Sequence, residues 1–270
     1  MTAPEPLRTR LKKRVPLAVR QLVRRNLRGR QSLNLKWTLG SGIALVIHDR
    51  SDWTIYNDIF VEGEYDVPIT RLLDEAPEDG TLQVLDLGAN VGLFTLRLVD
   101  QVRRRHLDSL QLRVTLVEGN PTACDRLRAA LARNGLLDER VRVVHGLVGQ
   151  REGVGRITPH ATSGMSTVHG GTDLFTKSVP FVDLEALMGG ADLDLVKCDI
   201  EGSEQLFLEN YPGLLARTRR AVFEFHPQMC DVPKCVDLVR AAGLSHSTTL
   251  RAEPTFEVAY FWRDADDRPA

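Results

Sequence analysis

The 270-residue chain contains no apolar run approaching the ~20 residues that a membrane-spanning helix needs, so no transmembrane segment is expected. Its four cysteines, Cys124, Cys198, Cys230 and Cys235, form no C-x-x-C pair, which excludes a zinc ribbon and a thioredoxin-like redox centre. His226, Cys230 and Cys235 supply three donors of a zinc set and no fourth suggests itself. Unpaired thiols are the pattern of a reducing compartment, and a cytoplasmic location is expected. The basic N-terminal stretch is followed by no apolar core, so it does not read as a secretory signal. There is no internal repeat and no low-complexity tract. A G-x-G-x-x-G fingerprint is also missing, and with it the cradle for a dinucleotide pyrophosphate.

A net charge of −1 conceals an asymmetry, because nearly a third of the Lys and Arg residues lie in residues 1–36, where Glu5 is the lone acid. Pro16 to Arg28 has a helical pattern, with Leu17, Val19, Leu22, Val23 and Leu27 on one broad side and arginines elsewhere. Such a helix would dock on the domain or on a second copy in a homodimer, or touch an anionic membrane surface weakly. No aromatic residue interleaves with these charges, so nucleic acid is not an expected partner. The chain divides into a basic arm and helix (1–36), a β-rich extension (37–80) and a Rossmann-like domain (81–270). Within the extension, Trp37 to Ile47 and Trp53 to Val61 read as β-rich, with Asp49-Arg50-Ser51-Asp52 as the turn between them and a helix from Pro68 to Glu75.

From residue 82 onwards, strands and helices alternate as in a doubly wound sheet, mostly parallel and ending in an antiparallel hairpin at 245–250 and 256–262. Val84 to Gly92 is the most informative stretch. An apolar run ends at Asp86, turns over Gly88, Asn90 and Gly92, and continues as a helix, giving the pattern D-x-G-x-N-x-G. The two glycines would let the backbone turn tightly and approach a ligand. An acid beside that turn repels a pyrophosphate and suits a cationic ligand such as S-adenosylmethionine. One βα unit later, Val114 to Glu118 ends in a second acid, placed to accept the ribose hydroxyls of an adenosine. Asn120-Pro121 supplies the cap and first residue of the next helix, and Asn120 joins Asp86, Gly88, Asn90, Gly92 and Glu118 as a candidate cofactor contact.

Four motifs, DLGANVGLFTL, VEGNP, VKCDIEGSE and FEFH, occur in order after the lead-in DWTIYNDIFVEGEYDVP. Together they resemble the FkbM-family methyltransferases over roughly residues 37 to 262, and DIEGSE (Asp199 to Glu204) is the most distinctive part. Cys198 stands where the family commonly has Ile. The resemblance implies a class I methyltransferase fold, S-adenosylmethionine as methyl donor, and a hydroxyl acceptor on a sugar or natural product.

A protonated sugar hydroxyl is a poor nucleophile, so a base or a metal is expected to assist. Asp199 ends the fourth strand of the core. Glu224 and His226, two residues apart at the end of the fifth, share one face. These three would hold Mg²⁺, which would lower the pKa of the acceptor hydroxyl. The bland alternatives are a Glu224–Lys197 pair and a loop-capping His226. His145, at the end of the third core strand, is the expected general base, with His226 as its substitute and Asp199 as a further catalytic group. Residues 148–180 lack periodicity, and Thr162 to Thr167 read as part of the acceptor pocket, with His160 and His169 as weaker bases. Glu201 and Glu204 would serve the following helix, Glu201 lying near enough to Asp199 to matter. The alternatives are an amine-directed N-methyltransferase that needs no metal and a nucleoside-binding regulator without turnover.

Overall fold

The computed structural model describes residues 32–77, 80–157 and 177–264. Its centre is a seven-stranded sheet in the order β10-β11-β9-β8-β3-β4-β5. In chain order the elements are β1 (Leu35–Thr38), β2 (Ala44–Ile47), α1 (Arg50–Tyr56), α2 (Asp66–Asp74), β3 (Thr81–Leu87), α3 (Leu93–Arg104), β4 (Gln111–Glu118), α4 (Pro121–Arg133), β5 (Val141–His145), β6 (Val154–Ile157), β7 (Lys177–Pro180), α5 (Leu184–Met188), β8 (Leu195–Cys198), α6 (Glu204–Asn210), α7 (Pro212–Ala216), β9 (Arg220–Phe225), α8 (Val232–Ala241), β10 (His246–Ala252) and β11 (Glu257–Trp262). β9, β8, β3, β4 and β5 pair in parallel, whereas β11 runs antiparallel to both β9 and β10. The fold is the doubly wound, mostly parallel α/β sheet with an antiparallel terminal hairpin that the sequence predicts.

Alternation along the strands explains the three layers. In β3, Val84 joins one apolar cluster, with Phe94, Leu116 and Tyr260, while its neighbour Leu85 joins another, with Val196, Phe207 and Phe223. Successive residues thus serve opposite faces of the sheet, and both faces are covered. Each fully buried side chain of this kind contributes about 1.5–3 kcal/mol. The chain leaves β3 on one side to form β4 and returns on the other as β8, so the winding reverses between β3 and β8. At such a reversal the carboxyl ends of the strands diverge and leave a crevice. Gly88, Glu118 and Asp199 all lie at that edge.

The helices begin where the sequence signals them. Asn120 caps α4 by accepting from the backbone N–H groups of Thr122 (3.0 Å) and Ala123 (3.4 Å), and Pro121 follows. Gly135 closes the helix in the left-handed region. In α3 the fully buried Asp100 is held by Arg97 at 3.0 Å and Arg104 at 2.9 Å, one on each side along the helix.

One of the two segments read as β-rich differs from expectation. Trp37 to Ile47 is a hairpin, with β1 and β2 paired antiparallel. Trp53 to Val61 is helical, completing α1 and continuing as a π-helical turn, Asn57–Val61. Asp49 is an N-cap instead of a hairpin corner, accepting from Ser51 N (3.0 Å) and Asp52 N (3.1 Å). Arg126 in α4 then anchors Asp49 at 2.8 Å and the buried Asp52 at 3.4 Å. The β-forming composition is overruled by a cap and by aromatic spacing: Trp53, Tyr56 and Phe60 stack along one helical face. The extension shares its core with the sheet, since Ile43, Ile47 and Leu72 pack in the same cluster as Val84. The 148–180 stretch carries the antiparallel pair β6–β7 at its ends. Thr162 to Thr167, His160, His169 and the Pro16 to Arg28 helix lie outside the described residues.

Candidate active site

The turn after β3 is built on backbone contacts. Gly88 and Ala89 donate to the carbonyl of Val117 at 2.9 and 3.1 Å. Gly88 has φ +71°, and a Cβ there would stand 1.6 Å from the carbonyl oxygen of Asp199. Its glycine is therefore required first by the close passage of the chain after β8, a reason the sequence does not reveal. At Gly92, with φ +85°, a Cβ would meet Leu127 at 2.5 Å, so this glycine serves the packing of α3 against α4. Asp86 is fully buried, accepting from Thr95 Oγ1 at 3.1 Å and facing Lys197 Nζ at 3.7 Å. It supports the turn from beneath. Burial raises its pKa against the opposing pull of Lys197 and Thr95.

Glu118 and Asn90 face an open pocket. The Glu118 carboxylate accepts from Asn120 N at 2.6 Å and from Asn90 N at 2.8 Å. Burial raises its pKa, and these two N–H groups oppose the shift. Asn90 adopts φ +50°, and its Oδ1 is buried without a hydrogen-bond partner. Both residues line an open cavity with about 590 Å³ of empty space, part of it bulk solvent, together with Gly119, Asn120, Leu147 and Asp199.

A second open cavity, with about 720 Å³ of empty space that also includes bulk solvent, opens on the other side of the same turn. Its walls combine Tyr65, Phe94 and Phe256 with the carboxylates of Asp58, Glu64 and Glu224. Gly88, Asn90, Asp199 and Glu201 line both cavities. Arg251, from the C-terminal hairpin, clips Asp58 at 2.7 Å and Glu64 at 3.1 Å and so joins two distant parts of the chain at this wall.

Between the cavities lies a dense charge cluster. Lys197 Nζ donates to the Gly88 carbonyl at 2.8 Å and lies 3.4 Å from Asp199 Oδ2. Burial pulls its pKa down, but Asp199, Asp86 and Glu224 outweigh this and hold it above its ordinary value. Asp199, Glu224 and His226 present donor atoms that all lie within 4.8 Å of one another. His226 Nε2 is 3.5 Å from Glu201 Oε2 and 3.6 Å from Glu224 Oε1. Burial, reinforced by Asp199, pushes Glu201 up to about 8 and Glu224 up to about 9. Burial pulls His226 down, but Glu204, Glu201 and Asp199 raise it to about 9. Negative charge is in surplus here, and it is relieved by taking up protons or a cation. Two carboxylates, an imidazole and that surplus suit a divalent ion of the Mg²⁺ or Mn²⁺ class.

The sequence-predicted residues thus separate into groups. Glu118, Asn90, Asn120 and Gly88 meet at the first cavity, while Asp86 and Gly92 stand behind its wall. Asp199, Glu224 and His226 come together as expected, although His226 lines neither cavity and sits behind Glu201 and Glu224. His145 does not join them. It is exposed, its Nε2 lies 3.0 Å from the carbonyl of Gly119, and it lines neither cavity. Its place at the end of β5, opposite Glu118 in register, turns the ring outwards over the β4 turn. Glu201 is the residue whose importance the sequence understates. It holds φ +55° ahead of Gly202 at φ +97°, an uncommon backbone for a side chain that carries charge into both cavities. The E-G pair in DIEGSE is the local signal for it.

No protein-family model matches the chain, and no curated protein matches it. Among solved structures, the chain is similar to magnesium protoporphyrin IX methyltransferase from Synechocystis PCC 6803 with bound SAM, at 12% identity over 98% of this chain and 100% of that one, with a TM-score of 0.47. It is also similar to the methyltransferase FkbM from Methylobacillus flagellatus KT, at 15% identity over 90% of this chain and 60% of that one, with a TM-score of 0.48. A precorrin-6y C5,15-methyltransferase from Geobacter metallireducens GS-15 gives 12% identity, 74% and 87% coverage and a TM-score of 0.44. At these identities the likeness concerns the course of the chain and not a substrate.

Proposed function

We propose that this chain is an S-adenosylmethionine-dependent O-methyltransferase, of the FkbM type, acting on a hydroxyl of a sugar or polyhydroxylated natural product. The observation that carries the reading is the meeting of two cavities over Gly88, Asn90, Asp199 and Glu201. Methyl transfer needs a donor and an acceptor brought end to end, and positioning alone contributes about 7–11 kcal/mol.

S-adenosylmethionine supplies an electrophilic methyl group on a sulfonium. Glu118 would take the ribose hydroxyls: each carboxylate oxygen already accepts one backbone N–H and keeps a second acceptor site. The unpartnered Asn90 Oδ1 would accept a donor of the same ligand. Asp199 gives the shared floor the negative charge that complements a sulfonium. A divalent ion held by Asp199, Glu224 and His226 would polarise the acceptor hydroxyl. Glu201 replaces His145 as the proposed general base, because it lines the acceptor cavity and His145 does not. A cytoplasmic enzyme acting on a small acceptor rather than on nucleic acid fits this reading.

One observation favours a second reading. The acid-rich second cavity also suits an acceptor bearing an amine, and metal-free N-methylation would follow. Transfer of labelled methyl from S-adenosylmethionine to panels of sugars and of amines, with and without EDTA, separates the two. Transfer to hydroxyls, abolished by chelation and restored by Mg²⁺, is the expected result. Transfer confined to amines and indifferent to EDTA would replace the proposal.

A further inference from the structure

Glu204 is fully buried, yet it lines neither cavity. Its Oε1 accepts from the N–H of Ile200 and the N–H of Gly202, each at 3.1 Å, and so spans Glu201 from both sides. This bond pair holds the left-handed turn in which Glu201 stands at φ +55°. The same oxygen lies 3.6 Å from His226 Nδ1. Glu204 Oε2 and His226 Nδ1 are both buried without a hydrogen-bond partner. On the far side of the ring, Nε2 faces Glu224 and Glu201 at 3.6 and 3.5 Å. The imidazole therefore stands between a buried carboxylate and the proposed metal donors.

We propose that Glu204 is the positioning residue of this site, fixing the Glu201 turn and orienting His226 so that Nδ1–H points to Glu204 and Nε2 is bare towards Asp199 and Glu224. The inference rests on the metal reading above and adds to it the group that sets the tautomer of its nitrogen ligand. An imidazole ligand needs its outer N–H accepted by a carboxylate or carbonyl, and loss of that partner typically lowers metal affinity about 10–100-fold. Glu204 supplies that carboxylate: its Oε1 lies 3.6 Å from Nδ1, and its Oε2, like Nδ1, is buried with no hydrogen-bond partner. The first-turn role that the sequence suggests for Glu204 accounts for the two backbone bonds and for nothing on the His226 side.

The test uses the whole chain with Mn²⁺ as probe, followed by electron paramagnetic resonance, and S-adenosylhomocysteine binding by calorimetry. Glu204→Gln keeps a carbonyl oxygen for Ile200 and Gly202. It should melt like the unsubstituted protein, bind S-adenosylhomocysteine within about twofold, and bind Mn²⁺ about 10–100-fold more weakly. Glu204→Ala should lose affinity for both ligands, because Ile200 and Glu201 line the first cavity. Undiminished Mn²⁺ binding by Glu204→Gln, or equal loss of both ligands, would overturn the proposal and leave Glu204 a turn-former only. If the unsubstituted protein binds no Mn²⁺, the metal reading fails and this inference fails with it, while S-adenosylhomocysteine binding still reports separately on the methyltransferase reading. Nitrogen-15 chemical shifts of His226 in the unsubstituted protein give an independent check. An Nδ1–H tautomer is expected in the Mg²⁺-loaded protein, and an Nε2–H tautomer there would contradict the assignment.

Discussion

The carboxylate at the end of β4 is buried and those at the ends of β8 and β9 are half-buried, and the two groups are in opposite conditions. Glu118 has each oxygen answered by a backbone N–H at 2.6–2.8 Å, so its charge is spread into the fold before any ligand arrives. Asp199, Glu201 and Glu224 crowd one another, with Lys197 and His226 as their nearest cations, and two of them are pushed towards neutrality by burial and mutual repulsion. The first condition suits a pocket that recognises a constant part of a cofactor by hydrogen bonds. The second suits a place where charge is exchanged, whether a proton, a cation or a developing alkoxide. The β3 turn stands between the two, and Gly88 lets both reach it.

The largest effect is expected where the two regions touch. Gly88→Ala forces a Cβ against the Asp199 carbonyl at a left-handed φ and should cost about 3–5 kcal/mol in urea unfolding, or prevent folding outright. A substitution tolerated at wild-type stability would mean that the two strand ends are not in contact.

A smaller effect sharpens the contrast in charge. Glu201 and Glu224 have folded pKa values above the ordinary 4.5, and His226 above 6.5. The folded state therefore binds more protons than the unfolded chain in the intervening range. The stability from the carboxylates is fully present below about 4.5, and that from His226 below about 6.5, the ordinary values of these groups. It is lost as the pH climbs through about 8 to 9. The melting temperature of the metal-free protein should fall between about pH 7 and pH 10, and Glu224→Gln should flatten that fall. A melting temperature that rises over this interval would reverse the assigned charge states. Glu118, with its two N–H partners, provides the comparison site.

The smallest effect is expected at His145. His145→Ala should change stability by less than ~0.5 kcal/mol and methyl transfer by no more than about twofold. A loss of about 10²–10⁴-fold would restore the base role that its strand-end position suggests.

The core of the fold was legible because its signals are local. Apolar runs ending in Asp86 and Glu118, the Asn120-Pro121 cap and the Gly135 stop each fix an element within a few residues. Trp53 to Val61 was not legible, because its aromatic and β-branched composition argues for a strand until Asp49 and Arg126 are known to meet. The strand-end acids were legible by position. The acceptor-side wall was not, since contacts such as Arg251–Asp58 join residues 193 positions apart. The place of His145 outside both cavities was not legible for a related reason: a strand end is predictable from sequence, but the direction in which its side chain leaves the sheet edge is not. Gly88 was singled out for a tight turn and a close approach to a ligand, whereas the atom that excludes a Cβ there, the carbonyl oxygen of Asp199, belongs to the chain just after β8, more than 100 residues later.

The central claim is that the Glu118–Asn90 cavity holds the adenosyl part of S-adenosylmethionine. Calorimetric titration of S-adenosylhomocysteine into the unsubstituted protein and into Glu118→Ala tests it most directly. Single-site binding, weakened by about 1.5–3 kcal/mol, or about 10–150-fold, when the carboxylate is removed, is the predicted result. Unchanged affinity in a folded Glu118→Ala protein, or no binding by the unsubstituted chain, would contradict the account.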